Sequence, residues 1–285
     1  MTTASDRPPE PAGVFSSEPA GADCFQGADF VARLHLLQHL IDSSDLMVLV
    51  VGPDGSGKTT LLEQLARRGA DRWQICRVAP APGLSAGGVL KQIAQCCELP
   101  TDCGDVAMTH LLIERAGELR RSDRVPLLVV DDAQVLGLDA LAAVIGLGGA
   151  PQDQAAAWHI LLLSEPGLEG TLVTGRGPLP PSGKLQVVRL APLTAAETAE
   201  YVKYRLERAG VAAAVELSPE QVAQLHREGR GLPGGINAAA RRLFAVRPTQ
   251  PTSPPVRKRG CTPRRKASTA TSSEPSAVIK ITGML

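Results

Sequence analysis

The sequence predicts an α/β fold, a five-stranded parallel sheet layered with helices and closed by a small C-terminal helical subdomain. Three observations carry this reading: five short apolar runs that lack polar alternation, helical patterns between them, and an end to the strand signature after Leu190. Strands covered on both faces read as continuous aliphatic runs, and their alternation with helices implies crossover connections and parallel pairing. The 285-residue chain is long enough for a sizeable core, and 44% apolar with 21% charged residues is a globular composition.

Each element follows in order. Residues 1–24 carry four prolines by position 19 and are expected to be disordered, so the folded part should run from about Phe25 to Val246. Asp29 precedes Phe30, Leu34, Leu37, Leu40 and Ile41, one face of a helix with a capping carboxylate. The first strand is LMVLVV, ending at Val51, and the others are WQICRV (73–78), VPLLVV (125–130), WHILLL (158–163) and LQVVRL (185–190). Helices are expected over Thr59 to Arg68, Ser85 to Cys97, Ala107 to Arg121 and Leu138 to Leu147. Beyond Leu190, Thr194-x-x-Glu197 and Ser218-Pro219-x-Gln221 are capping boxes that open two helices, and a third helix follows Pro233. The expected divisions are a terminal segment 1–24, a core 25–192, a helical lid 193–246 and a tail 247–285.

The first strand runs directly into Gly52, Pro53, Asp54, Gly55, Ser56, Gly57, Lys58 and Thr59, followed by Thr60. This is a complete G-x-x-x-x-G-K-[ST] between a strand and a helix, the signature of a P-loop NTPase that takes ATP and Mg²⁺. Glycines admit conformations closed to residues with a Cβ, so successive N–H groups turn inward as an anion nest at a helix N-terminus. Lys58 is expected to reach the β- and γ-phosphates, and the Thr59 hydroxyl to ligate Mg²⁺. Asp131 ends the strand VPLLVV, which is expected to lie beside the strand feeding the loop, and so stands as the second group for the metal. Asp132 comes next and has two readings, a base that orients the attacking water or a cap before Gln134. Ser164, after Ile160 to Leu163, is either a hydrogen-bonding partner of the γ-phosphate or water, or a turn residue.

The order of phosphate loop, apolar strand with Asp-Asp-Ala-Gln, polar strand end and helical lid resembles that of AAA+ ATPases. Asp131-Asp132-Ala133-Gln134, the string LTAAETAEYVKYRLERAG from Leu193 to Gly210, and GLPGGIN from Gly231 to Asn237 are similar to the ExeA/GspA-type ATPases of general secretion. They are also similar to the N-terminal ATPase region of the cell-division protein DamX. The resemblance covers about residues 25–246. It implies Mg-dependent ATP hydrolysis that drives a conformational cycle on a protein partner of the bacterial envelope, in secretion or division. It leaves homo-oligomerisation open, and it implies a cytoplasmic location at the inner face of the membrane. Two departures stand out: the family often has Glu where Asp132 stands, and its lid carries an arginine where this chain has Gly234. Either Arg241 or Arg242 substitutes for that arginine, or the lid is weakly coupled; Arg176 is the candidate arginine finger.

Composition excludes several alternatives. Eight aromatics argue against an RNA-binding sheet built on stacking, and the longest apolar strings fall well short of the roughly 18 residues of a membrane span. No secretory leader is expected, since the N-terminus has neither an apolar nor a basic region. The six cysteines include no Cys-x-x-Cys pair, as expected of reduced thiols. His35 and His39 lack the glutamate and third ligand of a zinc site. Gly229-x-Gly231-x-x-Gly234 follows a helix, which removes it as a dinucleotide fingerprint.

Charge is uneven. From Arg247 to Leu285 eight basic residues meet one acidic residue, leaving 22 basic against 28 acidic in the rest. The run from Arg257 to Lys266 is interrupted by Pro263, so it reads either as a solvated linker or as a weak, salt-sensitive contact to anionic lipid or nucleic acid. Two functions of other classes stay open: a nucleotide-gated binding module with little hydrolysis, and a DNA-associated AAA+ regulator using the tail.

Overall fold

The computed structural model describes residues 11–15, 24–44, 46–148, 158–173, 177, 185–212, 215 and 217–245. After a single turn α1 (Pro11–Val14), α2 (Ala28–Ser43) leads into β1 (Met47–Val51), the phosphate-loop segment and α3 (Lys58–Arg68). Then come β2 (Trp73–Val78), α4 (Ala86–Cys96), α5 (Asp105–Arg121), β3 (Val125–Val130), a 3₁₀ turn (Ala133–Val135) and α6 (Leu138–Gly146). The core ends with β4 (His159–Ser164), α7 (Pro166–Val173) and β5 (Leu185–Arg189), and α8 (Ala195–Arg208), α9 (Pro219–Gly229) and α10 (Pro233–Ala245) form the lid. The expected strands and helices recur with ends shifted by a residue or two; α7 is an element the periodicity did not reveal.

All strand pairs are parallel, in the order β2-β3-β4-β1-β5. The α/β P-loop class with a five-stranded parallel sheet is therefore what the chain adopts. One expectation is corrected: β4 lies between β1 and β3, so the strand ending at Asp131 is not beside the strand that feeds the loop. All five runs are similarly apolar, so nothing in them distinguishes one neighbour from another.

The missing alternation has a direct cause. Leu49, Val51, Leu128, Val130, Ile160 and Leu162 pack on one face with residues of α4, α5 and α6. Val48, Val50, Leu127, Val129, Leu161 and Leu163 pack on the other with α2 and α3. Side chains still alternate along each strand, but both faces are covered, so both must be apolar. The polar atoms of the tryptophans are satisfied: Trp73 Nε1 donates to Asp42 at 2.8 Å and Trp158 Nε1 to the Leu112 carbonyl at 3.0 Å. Cys76 and Cys97 meet in the core at 3.6 Å, and among the described residues no cluster of three His, Cys, Asp or Glu could hold a metal.

Two further expectations change. α2 opens at Ala28 with Gly27 as its cap, so Asp29 lies in the first turn and pairs with Arg33 at 2.7 Å. Its charge still favours the positive end of the helix dipole. Residues 11–15 of the segment expected to be disordered are ordered on the lid: Phe15 stacks on Phe244 at 5.6 Å, with the Arg205 guanidinium over its ring at 5.8 Å. Arg205 also donates to the Val14 carbonyl at 2.5 Å and Arg241 to that of Phe15 at 3.2 Å. One valine and one phenylalanine buried against the lid outweigh a proline-rich composition.

Both lid capping boxes are formed. Thr194 Oγ1 accepts from Glu197 N–H at 3.2 Å while Glu197 accepts from Thr194 N–H at 2.8 Å, and Ser218 and Gln221 do the same at 3.3 and 3.0 Å. Among the described residues no helix is long and apolar enough to cross a membrane. The tail 247–285, including Arg257 to Lys266, and Arg176 lie outside the described residues.

Candidate nucleotide-binding site

The site forms at the C-terminal ends of β1, β3 and β4, where open parallel sheets place their ligands. Gly52 N–H donates to the Ser164 carbonyl at 3.1 Å, so the loop starts fastened to the neighbouring strand end. Gly55 and Gly57 then take φ of +73° and +93°, the left-handed region that favours glycine. Gly52 is needed for space, since a Cβ there would sit 2.4 Å from Ser56 Oγ. That Ser56 hydroxyl is buried with no hydrogen-bond partner. The first intrahelical acceptor of α3 is Gly57, which takes the Leu61 N–H at 2.9 Å. The N–H groups of Lys58, Thr59 and Thr60 therefore stay open at the positive end of the helix, a ready anion cradle.

Lys58 is buried, and its ammonium donates to the carbonyls of Gly52 at 2.9 Å and Pro53 at 3.2 Å. An ammonium has three donors, so one is left over, and the group is held at the mouth of the nest. Thr59 Oγ1 donates to Asp131 Oδ2 at 2.8 Å. The two groups named from the sequence as the metal pair thus meet, although 72 residues apart and with β4 between their strands. A hydroxyl and a carboxylate are hard oxygen donors of the kind Mg²⁺ takes, with waters and phosphate oxygens completing its shell.

Asp131 serves a second purpose, because its Oδ1 accepts the Asp132 N–H at 3.1 Å. Asp132 is a non-glycine residue in the left-handed region, with φ of +54°, a conformation that aspartate tolerates better than most side chains. It is exposed and faces the cleft. Ser164 is placed differently: it is fully buried, its hydroxyl donates to the Glu165 carbonyl at 2.9 Å, and it does not line the cleft.

That cleft, about 770 Å³, lies between the loop and the lid. Its floor is Asp54 to Thr60 with Asp132, and its far wall includes Phe25, Phe30, Tyr201, Gly234, Asn237 and Arg241. The volume is within the range of sites that hold a drug-sized ligand, roughly 300–1,000 Å³. Burial pushes the Tyr201 phenol above its ordinary value, and its hydroxyl donates to Asn237 Oδ1 at 2.9 Å. Gly234 presses against the loop: its N–H donates to the Gly55 carbonyl at 2.9 Å, and a Cβ on it would lie 2.9 Å from Gly55 Cα. Of the two arginines weighed as substitutes, Arg241 lines the cleft, whereas Arg242 pairs with Glu228 at 3.3 Å. The loop–lid contact and the apolar wall escaped the sequence reading; the GLPGGIN string contains Gly234, but nothing in it signals contact with Gly55.

The fold is that of a P-loop NTPase of the AAA+ kind. Residues 41–172 match the family model described as AAA domain. No curated protein matches the sequence. Among solved structures the chain is similar to Cdc6p from Pyrobaculum aerophilum, with a TM-score of 0.54 and 20% identity over 81% of this chain and 64% of that one. It is similar to a Walker-type ATPase of Pyrococcus abyssi, with a TM-score of 0.58 and 13% identity over 82% and 72% of the two chains. A third likeness is the Aeropyrum pernix ORC2 protein, solved in ADPNP and ADP complexes, with a TM-score of 0.52 and 14% identity over 80% and 63%. The chain thus spans less than two thirds of the length of the Cdc6p and ORC2 proteins.

Proposed function

We propose that this chain binds ATP with Mg²⁺ in the cleft between loop and lid and hydrolyses it to ADP and phosphate. The observation that carries the reading is the Thr59–Asp131 contact at 2.8 Å at the foot of a complete phosphate loop. In this reading residues 52–60 cradle the phosphates, Lys58 pairs with the β- and γ-oxygens, and Thr59 with Asp131 holds the metal. The metal, when bound, neutralises charge on the phosphates. Asp132 orients the attacking water and takes its proton as the bond from the γ-phosphorus to the bridging oxygen breaks. Ser164 supports the site by fixing the end of β4, since its hydroxyl is spent on the Glu165 carbonyl.

We further propose that the core, residues 25–192, and the lid, 193–246, move relative to each other with nucleotide state. The GLPGGIN and LTAAETAEYVKYRLERAG strings favour action on a protein partner of the bacterial envelope, at the cytoplasmic face, with homo-oligomers as one form. The basic tail from Arg257 to Lys266 adds a salt-sensitive anionic contact. A second reading is a nucleotide-gated binding module with little turnover. Gly234 favours it, because no side chain extends from that point of the lid toward the phosphates. Phosphate release by the purified chain decides between them. Hydrolysis is expected, slowed about 10²- to 10⁴-fold by Asp132→Asn with ATP affinity unchanged. Absence of turnover with intact ATP binding selects the gated module.

A further inference from the structure

Gln134 sits in the 3₁₀ turn after β3 and uses both ends of its amide. Its Nε2 donates to Asp132 Oδ1 at 3.1 Å, and its Oε1 accepts the Glu165 N–H at 3.2 Å. Glu165 directly follows Ser164, so one side chain joins the carboxylate beyond β3 to the backbone beyond β4. The partners fix the amide's orientation, since a backbone N–H requires the oxygen and a carboxylate requires the NH₂ group.

An exposed carboxylate next to a turn would ordinarily sample several rotamers. Here the backbone of Asp132 is held by Asp131 and one of its carboxylate oxygens by Gln134, which leaves Oδ2 as the oxygen available to a water. We propose that Gln134 is a positioning residue for Asp132. It sets the direction of the water-orienting carboxylate and references it to the end of β4, the strand end that also accepts the Gly52 N–H at the start of the phosphate loop. This inference rests on the reading of Asp132 as the water-orienting base.

The role makes demands that packing alone would not. Glutamate at this position keeps an acceptor for the Glu165 N–H but cannot donate to Asp132 when ionised, and it adds a like charge. Alanine removes both contacts. The test measures kcat, KM, ATP affinity and the unfolding midpoint of the full chain for the wild type, Gln134→Ala, Gln134→Glu, Asp132→Asn and the Asp132→Asn/Gln134→Ala double variant.

The expected result is a fall in kcat of about tenfold or more for Gln134→Ala, the scale of a lost hydrogen bond to a charged group. Gln134→Glu should fall further, and both variants should keep ATP affinity and unfolding midpoint near wild type. In the Asp132→Asn background Gln134→Ala should cost nothing more, since the group it positions is already disabled. A normal kcat in both Gln134 variants, or an equal fractional loss with and without Asp132, overturns the positioning role while leaving the hydrolytic reading intact. Wild-type turnover in Asp132→Asn overturns that underlying reading and this inference with it.

Discussion

The phosphate loop draws the groups that cradle an anion from residues 52–60, whereas the lid is fastened by groups far apart in the chain. Phe15 stacks on Phe244, Arg205 reaches across 191 residues to the Val14 carbonyl, and Gly234 meets Gly55 through backbone alone. The loop's anion-cradling groups are polar and contiguous in sequence; the fastenings of the lid are mostly apolar or main-chain and non-local. The contrast teaches that chemistry and attachment are separable here. Substitutions in the loop should remove ligand binding and spare the fold, and substitutions at the lid's contacts with the N-terminal turn should loosen the fold and spare the loop's chemistry.

The largest effect on stability should come from Phe15→Ala. The ring is 1% exposed, and a buried Phe→Ala typically costs about 3–5 kcal/mol. Thermal unfolding is expected to begin many degrees earlier, with ATP affinity at low temperature within a few-fold of wild type. Loss of affinity without loss of stability would merge the two regions into one. Gly234→Ala is the sharper probe, because its Cβ would press on the loop itself. Forced packing of this kind costs typically about 1–3 kcal/mol. It should lower both the unfolding midpoint and ATP affinity, whereas Gly146→Ala, where a Cβ would meet nothing within 4 Å, should do neither.

The smallest effect is set by pH. Burial raises the Tyr201 phenol above its ordinary 10.0, so the folded lid holds this proton more tightly than the unfolded chain does. The contribution is full below about pH 10 and is lost as pH rises through the raised value. Denaturant unfolding of the wild type should therefore weaken more steeply above pH 10 than that of Tyr201→Phe. At neutral pH the variant should lose the Asn237 hydrogen bond, about 0.5–1.5 kcal/mol, together with the longer one that the Tyr201 hydroxyl accepts from Arg205 at 3.5 Å.

This division also decided what could be read in advance. Gly52 to Thr60 is a contiguous motif whose residue types are dictated by one task, and Asp131 is placed by its position at the end of an apolar run. Thr59 meeting Asp131 follows from both even though the intervening strand does not. Strand order was not legible, because side chains facing two covered surfaces carry no label for their neighbour. The N-terminal turn was hidden by composition: Val14 and Phe15 are two apolar residues in a proline-rich stretch, and their partners lie beyond residue 200. Gln134 was visible as a letter in Asp-Asp-Ala-Gln, but its link to Glu165 depends on a strand 25 residues later, which no local pattern announces.

The central claim, that the loop–lid cleft is a nucleotide site organised by Lys58, is tested most directly by calorimetric titration of ATP with Mg²⁺ into the full chain and its Lys58→Ala variant. The expected result is one nucleotide bound per chain, with affinity falling by at least about 10- to 100-fold in the variant, the scale of a charged hydrogen bond. The unfolding midpoint without nucleotide should be little changed. No saturable binding by the wild type, or equal affinity in the variant, would contradict the account.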